Sequence, residues 1–126
     1  MKEFMFFIRK PRNSQETLSP QKFNLFLKSC EIYIDTLKEQ GKLVSAKPID
    51  WSGKIISGKG DKWEEVAYNE AGEVIGGYYH ILAKDIDEAI EIAKANPEFK
   101  FNENSRIEVR PIKMKEEHTG FVYPSE

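Results

Sequence analysis

The stretch Gly76-Gly77-Tyr78-Tyr79-His80-Ile81-Leu82, followed after Ala83-Lys84 by Asp85-Ile86-Asp87-Glu88-Ala89, restricts the fold of this chain more than any other. Two glycines open an aromatic and β-branched run, the composition of a largely buried strand. Asp85 with Glu88 three residues on forms a capping box in which Asp takes the Ser/Thr place. Ile86, Ala89, Ile90 and Ala93 then make the i, i+3, i+4, i+7 stripe of a helix lying on a sheet. So short a strand-to-helix step belongs to the second half of a split β-α-β unit.

The first half is upstream. Phe4 to Arg9 reads as a strand, bounded by Pro11 and the polar Asn13-Ser14-Gln15 loop. Ser19-Pro20 starts a helix, because the serine hydroxyl accepts from orphan amides and the proline has no N–H to lose there. Phe23, Phe26, Leu27, Cys30, Ile34 and Leu37 form one face of it, and Gly41 supplies the left-handed residue that ends it. Leu43 to Lys47 is a second strand, closed by Pro48 and a turn around Asp50. Lys54 to Ser57 and Trp63 to Tyr68 suggest a hairpin turning at Gly58, Gly60 and Asp61, with another turn over Asn69 to Gly72. Asn96-Pro97 stops the second helix, and Arg106 to Arg110 alternates as the last strand.

The order β-α-β, hairpin, β-α-β predicts an α+β protein of ferredoxin-like architecture with both helices on one face of the sheet. The other face would then expose Met5, Phe7, Tyr78 and Leu82, a patch large enough to need cover. Pairing of two such faces predicts a homodimer, a dimeric α+β barrel. Residues 1–113 form the domain and 114–126 a charged tail. Phe121, Val122 and Tyr123 have no apolar partner inside that tail, so they are expected to dock on the sheet edge or on the other subunit.

With 126 residues the chain supports one core. Its 19 basic and 21 acidic residues, a net charge of −2, provide no field to gather a polyanion, which argues against a nucleic-acid partner. The lone Cys30 can form no internal disulfide and fits a reducing cytoplasm. The apolar run Phe4 to Ile8 is too short to cross a membrane or to serve as a signal segment, so no membrane partner is expected.

Several of these segments together resemble the YCII-related family, specifically its DGPF-type branch. They are Leu18-Ser19-Pro20, Gly41-Lys42-Leu43-Val44, Gly76-Gly77-Tyr78-Tyr79, Asp85-Ile86-Asp87-Glu88-Ala89 and Ile107-Glu108-Val109-Arg110-Pro111. The resemblance runs from Phe4 to about Lys113 and implies a ferredoxin-like homodimer whose biochemical role is mostly unassigned. The Asp-Gly-Pro-Phe signature falls on Glu65-Val66-Ala67-Tyr68 and keeps only the acid and the aromatic in kind, with Glu70 and Glu73 holding the acidic spacing after it. In shorter relatives a His of the first helix, with a nearby Asp, is the proposed active-site pair. Counting back from Gly41 puts Cys30 at that position.

Alternation places Tyr78 and His80 on the face opposite the helices, together with Arg9, Glu108 and Arg110. These five are the candidate ligand-binding residues. Two arginines suit a small anionic organic molecule, and His80 is the candidate proton-handling residue with Glu108 as its partner. A salt-bridged dimer interface is the competing reading. An enzyme of the cofactor-independent isomerase or oxygenase type is the alternative function, by analogy of fold. Gly53 to Gly60 imitates a phosphate loop, but Gly60 stands where Ser or Thr must hold magnesium and no helical pattern follows, so it reads as a turn. Two histidines and one cysteine without ligand spacing predict no metal, and no cofactor is indicated. Trp51 and Trp63 are candidates to cover a pocket mouth or anchor a loop.

Overall fold

The computed structural model describes residues 1–12, 18–68 and 72–124. The loop expected at Asn13-Ser14-Gln15 and most of the turn over Asn69 to Gly72 lie outside them. The elements run β1 (Lys2–Pro11), α1 (Pro20–Glu39), β2 (Leu43–Pro48), β3 (Lys54–Lys59), β4 (Lys62–Ala67), β5 (Glu73–Ala83), α2 (Ile86–Lys94), α3 (Glu98–Phe101) and β6 (Arg106–Pro111). Strands β2, β5, β1 and β6 form one antiparallel sheet in that order. The protein is α+β with two long helices, consistent with the ferredoxin-like expectation.

The helix ends follow their sequence signals. Ser19 Oγ accepts from the Lys22 amide, and Pro20 occupies the first turn. At the far end Gly41 adopts φ 70°, its amide donates to Lys38 and the Lys42 amide to Leu37, a pair of bonds that satisfies the last carbonyls. Asp85 accepts from the Glu88 amide and so starts α2.

One face of the sheet is the core. Phe4, Phe6 and Ile8 of β1 and Tyr79, Ile81 and Ala83 of β5 pack against Leu37 of α1 and Ala89, Ile92 and Ala93 of α2. Burying one such large side chain contributes about 1.5–3 kcal/mol. Phe26 and Leu37 are the buried residues of α1, whereas Phe23 and Leu27 of the expected face remain largely exposed. The β2–β5 edge of the sheet approaches closely, since a Cβ on Gly77 would stand 3.1 Å from the Lys47 carbonyl oxygen and 3.3 Å from Pro48 Cα.

Strand β5 carries an irregularity. Ile8 pairs with Gly77 but Arg9 pairs with Ile75, leaving Gly76 as an extra residue. The phase of β5 therefore reverses below Gly76, and Val74 rather than Ile75 is buried.

Two expectations are corrected. The hairpin turns at Gly60-Asp61, with Gly58 inside β3 opposite Trp63, where a Cβ would run into the Lys62 carbonyl oxygen and the Trp63 side chain. Among the described residues β3 and β4 pair only with each other, and every residue in them is exposed. Within the chain the tail does not dock on the sheet edge. It folds on itself, with Lys115 bridged to Val122, the Glu116 amide bonded to Phe121, and the Tyr123 hydroxyl donating to Glu116. Phe121, Val122 and Tyr123 remain exposed, because those local bonds turn the segment back before it reaches the sheet. The four-residue helix α3 was not anticipated.

Candidate functional site

The sheet face away from the helices holds the candidate residues. Register sets them in rows across β1: His80, Met5 and Arg110 lie abreast, then Tyr78, Phe7 and Glu108, then Ile75, Arg9 and Arg106. The residues of β1 and β5 in these rows and Glu108 are half-buried, whereas Arg106 and Arg110 on the edge strand β6 are exposed.

Along one side runs a chain of alternating charge. Arg106 grips Glu73 through two bonds of 3.0 and 2.7 Å. Arg9 donates to Glu73 at 2.9 Å and to Glu108 at 3.0 Å, and Arg110 donates to the other oxygen of Glu108 at 3.0 Å. The Arg106 guanidinium foremost, with Arg9 behind it, holds the Glu73 carboxyl below the usual carboxylate range. Arg110 first, then Arg9, does the same for Glu108. The carboxylates in turn raise Arg9 and Arg106, Glu73 being the main cause in both. Three guanidinium groups meet two carboxylates, so the chain carries one surplus positive charge.

His80 is elsewhere. Its Nε2 lies 2.6 Å from Glu3 Oε1, within hydrogen-bonding distance. The expected partner, Glu108, sits two strands away across β1, about 10 Å at ordinary strand spacing, with Met5 and Phe7 between. Tyr78 shares a hydrogen bond of 3.1 Å with Ser45 of β2. The structure thus brings Arg9, Glu108 and Arg110 together in one cluster and sets His80 and Tyr78 on the opposite side of the same face.

Sequence reasoning missed Glu3, Glu73 and Arg106 here. Glu3 lies before the apolar run that marked the start of β1. Simple alternation from His80 assigns Glu73 to the helix face, and the extra residue Gly76 returns it to the open one. The adjacent glycines were the available signal, since a glycine inside a strand often marks a bulge.

On the helix face a second polar pair was also missed. Lys10 Nζ meets Glu98 Oε2 at 2.9 Å with both side chains almost buried, and Glu98 Oε1 accepts from Asn102 at 3.0 Å and Ser105 at 3.3 Å. Cys30 lies nearby, half-buried on α1. Burial, reinforced by Glu98, pushes its thiol up to about 11. Burial likewise raises the Tyr33 and Tyr79 hydroxyls. Among the described residues no group of three His, Cys, Asp or Glu side chains is arranged to hold a metal ion. No described helix is long and apolar enough to cross a membrane.

The family model of the YCII-related domain matches residues 3–114, nearly the whole chain. The chain belongs to the YCII-related family. The match spans β1 to β6 and so contains both sides of the sheet described above. No curated protein matches the chain. Membership brings a small domain of unassigned role.

Proposed function

We propose that this YCII-related domain works as a homodimer in which two open sheet faces meet to close an α+β barrel, and that the barrel binds a small anionic organic molecule. The observation carrying this reading is the open face itself. Helices α1 and α2 cover the other side, while Met5, Phe7, Tyr78 and Leu82 lie among paired charges with no described helix over them. The surplus positive charge of the arginine–glutamate chain favours a carboxylate or phosphate. Arg110, the most exposed member with Arg106, is the group free to turn from Glu108 to a ligand. The ligand-binding residues of this reading are Arg9, Tyr78, His80, Glu108 and Arg110. The apolar trio of the tail is a further contact with the partner subunit. The retained Gly76-Gly77-Tyr78-Tyr79 and Ile107 to Pro111 segments favour the DGPF-type branch, and an unpaired cysteine suits the cytoplasm.

A second reading rests on the 2.6 Å contact of His80 with Glu3. A carboxylate that orients an imidazole is the arrangement of a general base, which favours a cofactor-independent enzyme of isomerase or oxygenase type.

Sedimentation of the wild type and Met5→Glu at micromolar concentration tests the dimer; a monomeric wild type overturns it. A thermal-shift screen of small carboxylates and phosphates against wild type, His80→Ala and Arg110→Ala tests the site. A ligand that stabilises all three equally refutes the placement.

A further inference from the structure

The face of the sheet that carries the helices is not filled to its edge. Helix α1 overhangs β2 and β5, and between them lies a cleft of about 280 Å³, just under the roughly 300–1,000 Å³ common for ligand pockets. We propose that this cleft binds a small, uncharged aromatic molecule carrying one acceptor oxygen. The proposal concerns the opposite side of the sheet from the barrel and stands independently of it.

The walls are apolar, with Phe26, Leu27, Ile34, Ala46 and Tyr79 among them. The charged residues at the cleft are Lys10 and Lys47 against Glu31 and Glu98, which sum to zero and give no net attraction for an ionic ligand. Glu98 is fully engaged, by Lys10, Asn102 and Ser105. Lys10 is not. An ammonium has three donors; one serves Glu98, and the group lies 5.1 Å above the Phe26 ring. No other acceptor bonds it among the described residues. A nearly buried donor facing an apolar cleft calls for an acceptor on whatever fills it, because leaving such a group unmade is costly. A carbonyl or ether oxygen answers without adding charge. The Cys30 thiol also lines the cleft and adds none, being neutral near pH 7.

Lys10 also stands where the cleft opens into a shallower depression of about 370 Å³ bordered by Phe23 and Trp51. Gly76 keeps this passage open. A Cβ there would stand 3.2 Å from Lys10 Cδ and 3.5 Å from the Trp51 indole nitrogen. Aromatic rings thus line the path from mouth to floor, which favours an aromatic body for the ligand through ring–ring contact.

The test uses acetophenone as probe and ethylbenzene, of similar shape without the oxygen, as its control. Amide and indole proton–nitrogen spectra of the protein are followed during titration. Acetophenone is expected to give saturable shifts at Trp51 and around Gly76, with a dissociation constant of about 1 mM or tighter. Ethylbenzene is expected to bind about tenfold more weakly, and Lys10→Met to abolish that difference. Leu27 is largely exposed, so Leu27→Trp can fold while filling the cleft, and it should remove the shifts; Arg110→Ala on the other face should leave them intact. Shifts that survive Leu27→Trp, that map to the open sheet face, or that are absent at millimolar probe overturn the proposal.

Discussion

Lys10→Met should be the most informative single substitution in this protein. Methionine keeps the apolar stem over Phe26 and removes the ammonium, leaving the Glu98 carboxylate almost buried with only Asn102 and Ser105 as donors. Removing one partner of a buried ion pair costs about 3–5 kcal/mol. Urea unfolding followed by tryptophan fluorescence, at equal protein concentration, measures the deficit. The expected result is about 3 kcal/mol, roughly 10 °C in thermal midpoint for a chain of this length. Glu98→Gln added to Lys10→Met should recover most of the loss, because a neutral amide leaves no buried charge without a counter-ion. A deficit below about 1 kcal/mol, or a double variant no more stable than the single one, would refute the account of the pair as buried and unscreened.

The charge chain on the open face should appear in acid. Glu73 and Glu108 are held below the usual carboxylate range, so their contribution is present above about 4.3 and is lost as pH falls through their folded values. The double variant Glu73→Gln, Glu108→Gln should flatten that limb of the urea midpoint against pH, and an unchanged limb would count against it. Cys30, a neutral thiol at about pH 8, should react with iodoacetamide far more slowly in the native protein than in urea, as read by mass spectrometry; equal rates would show it to be exposed. Gly77→Ala should lower stability by about 1–3 kcal/mol, because its Cβ would press on the backbone of Lys47 and Pro48. Gly76→Ala should cost less than Gly77→Ala, since the nearest atom is the flexible Lys10 Cδ; the reverse order in thermal midpoint would contradict this packing.

Much of the fold was legible because its signals are local. Ser19-Pro20, Gly41 and Asp85 announce helix ends through hydrogen bonds made within a few residues, and the alternation of Phe4, Phe6 and Ile8 against Met5 and Phe7 states which side faces the helices. What escaped depends on counting across strands. His80 faces the open side as alternation requires, yet its partner is set by the diagonal offset of β1 against β5, which brings Glu3 within reach and puts Met5 and Phe7 in front of Glu108. The inserted Gly76 reverses the phase of everything before it in β5, so Glu73 could be assigned only with the register in hand. Glu98 was hidden for a different reason. A charged residue following Asn96-Pro97 looks like an ordinary solvated turn, and only the one-turn helix α3 folds it inward onto Lys10.

The β3–β4 hairpin leaves the body through a narrow neck, where the Tyr68 amide donates to the Gly53 carbonyl. The strands on either side of the excursion, β2 and β5, are already neighbours, with Pro48 opposite Gly77. Topologically the segment 54–67 is an appendix, since cutting it at the neck and joining the stumps would leave every strand pairing of the main sheet in place. That makes it a modular position in the architecture. The hairpin can lengthen, shrink or be exchanged without renegotiating the core, and the exposed Gly60-Asp61 tip is a natural point at which to graft a foreign peptide or a reporter.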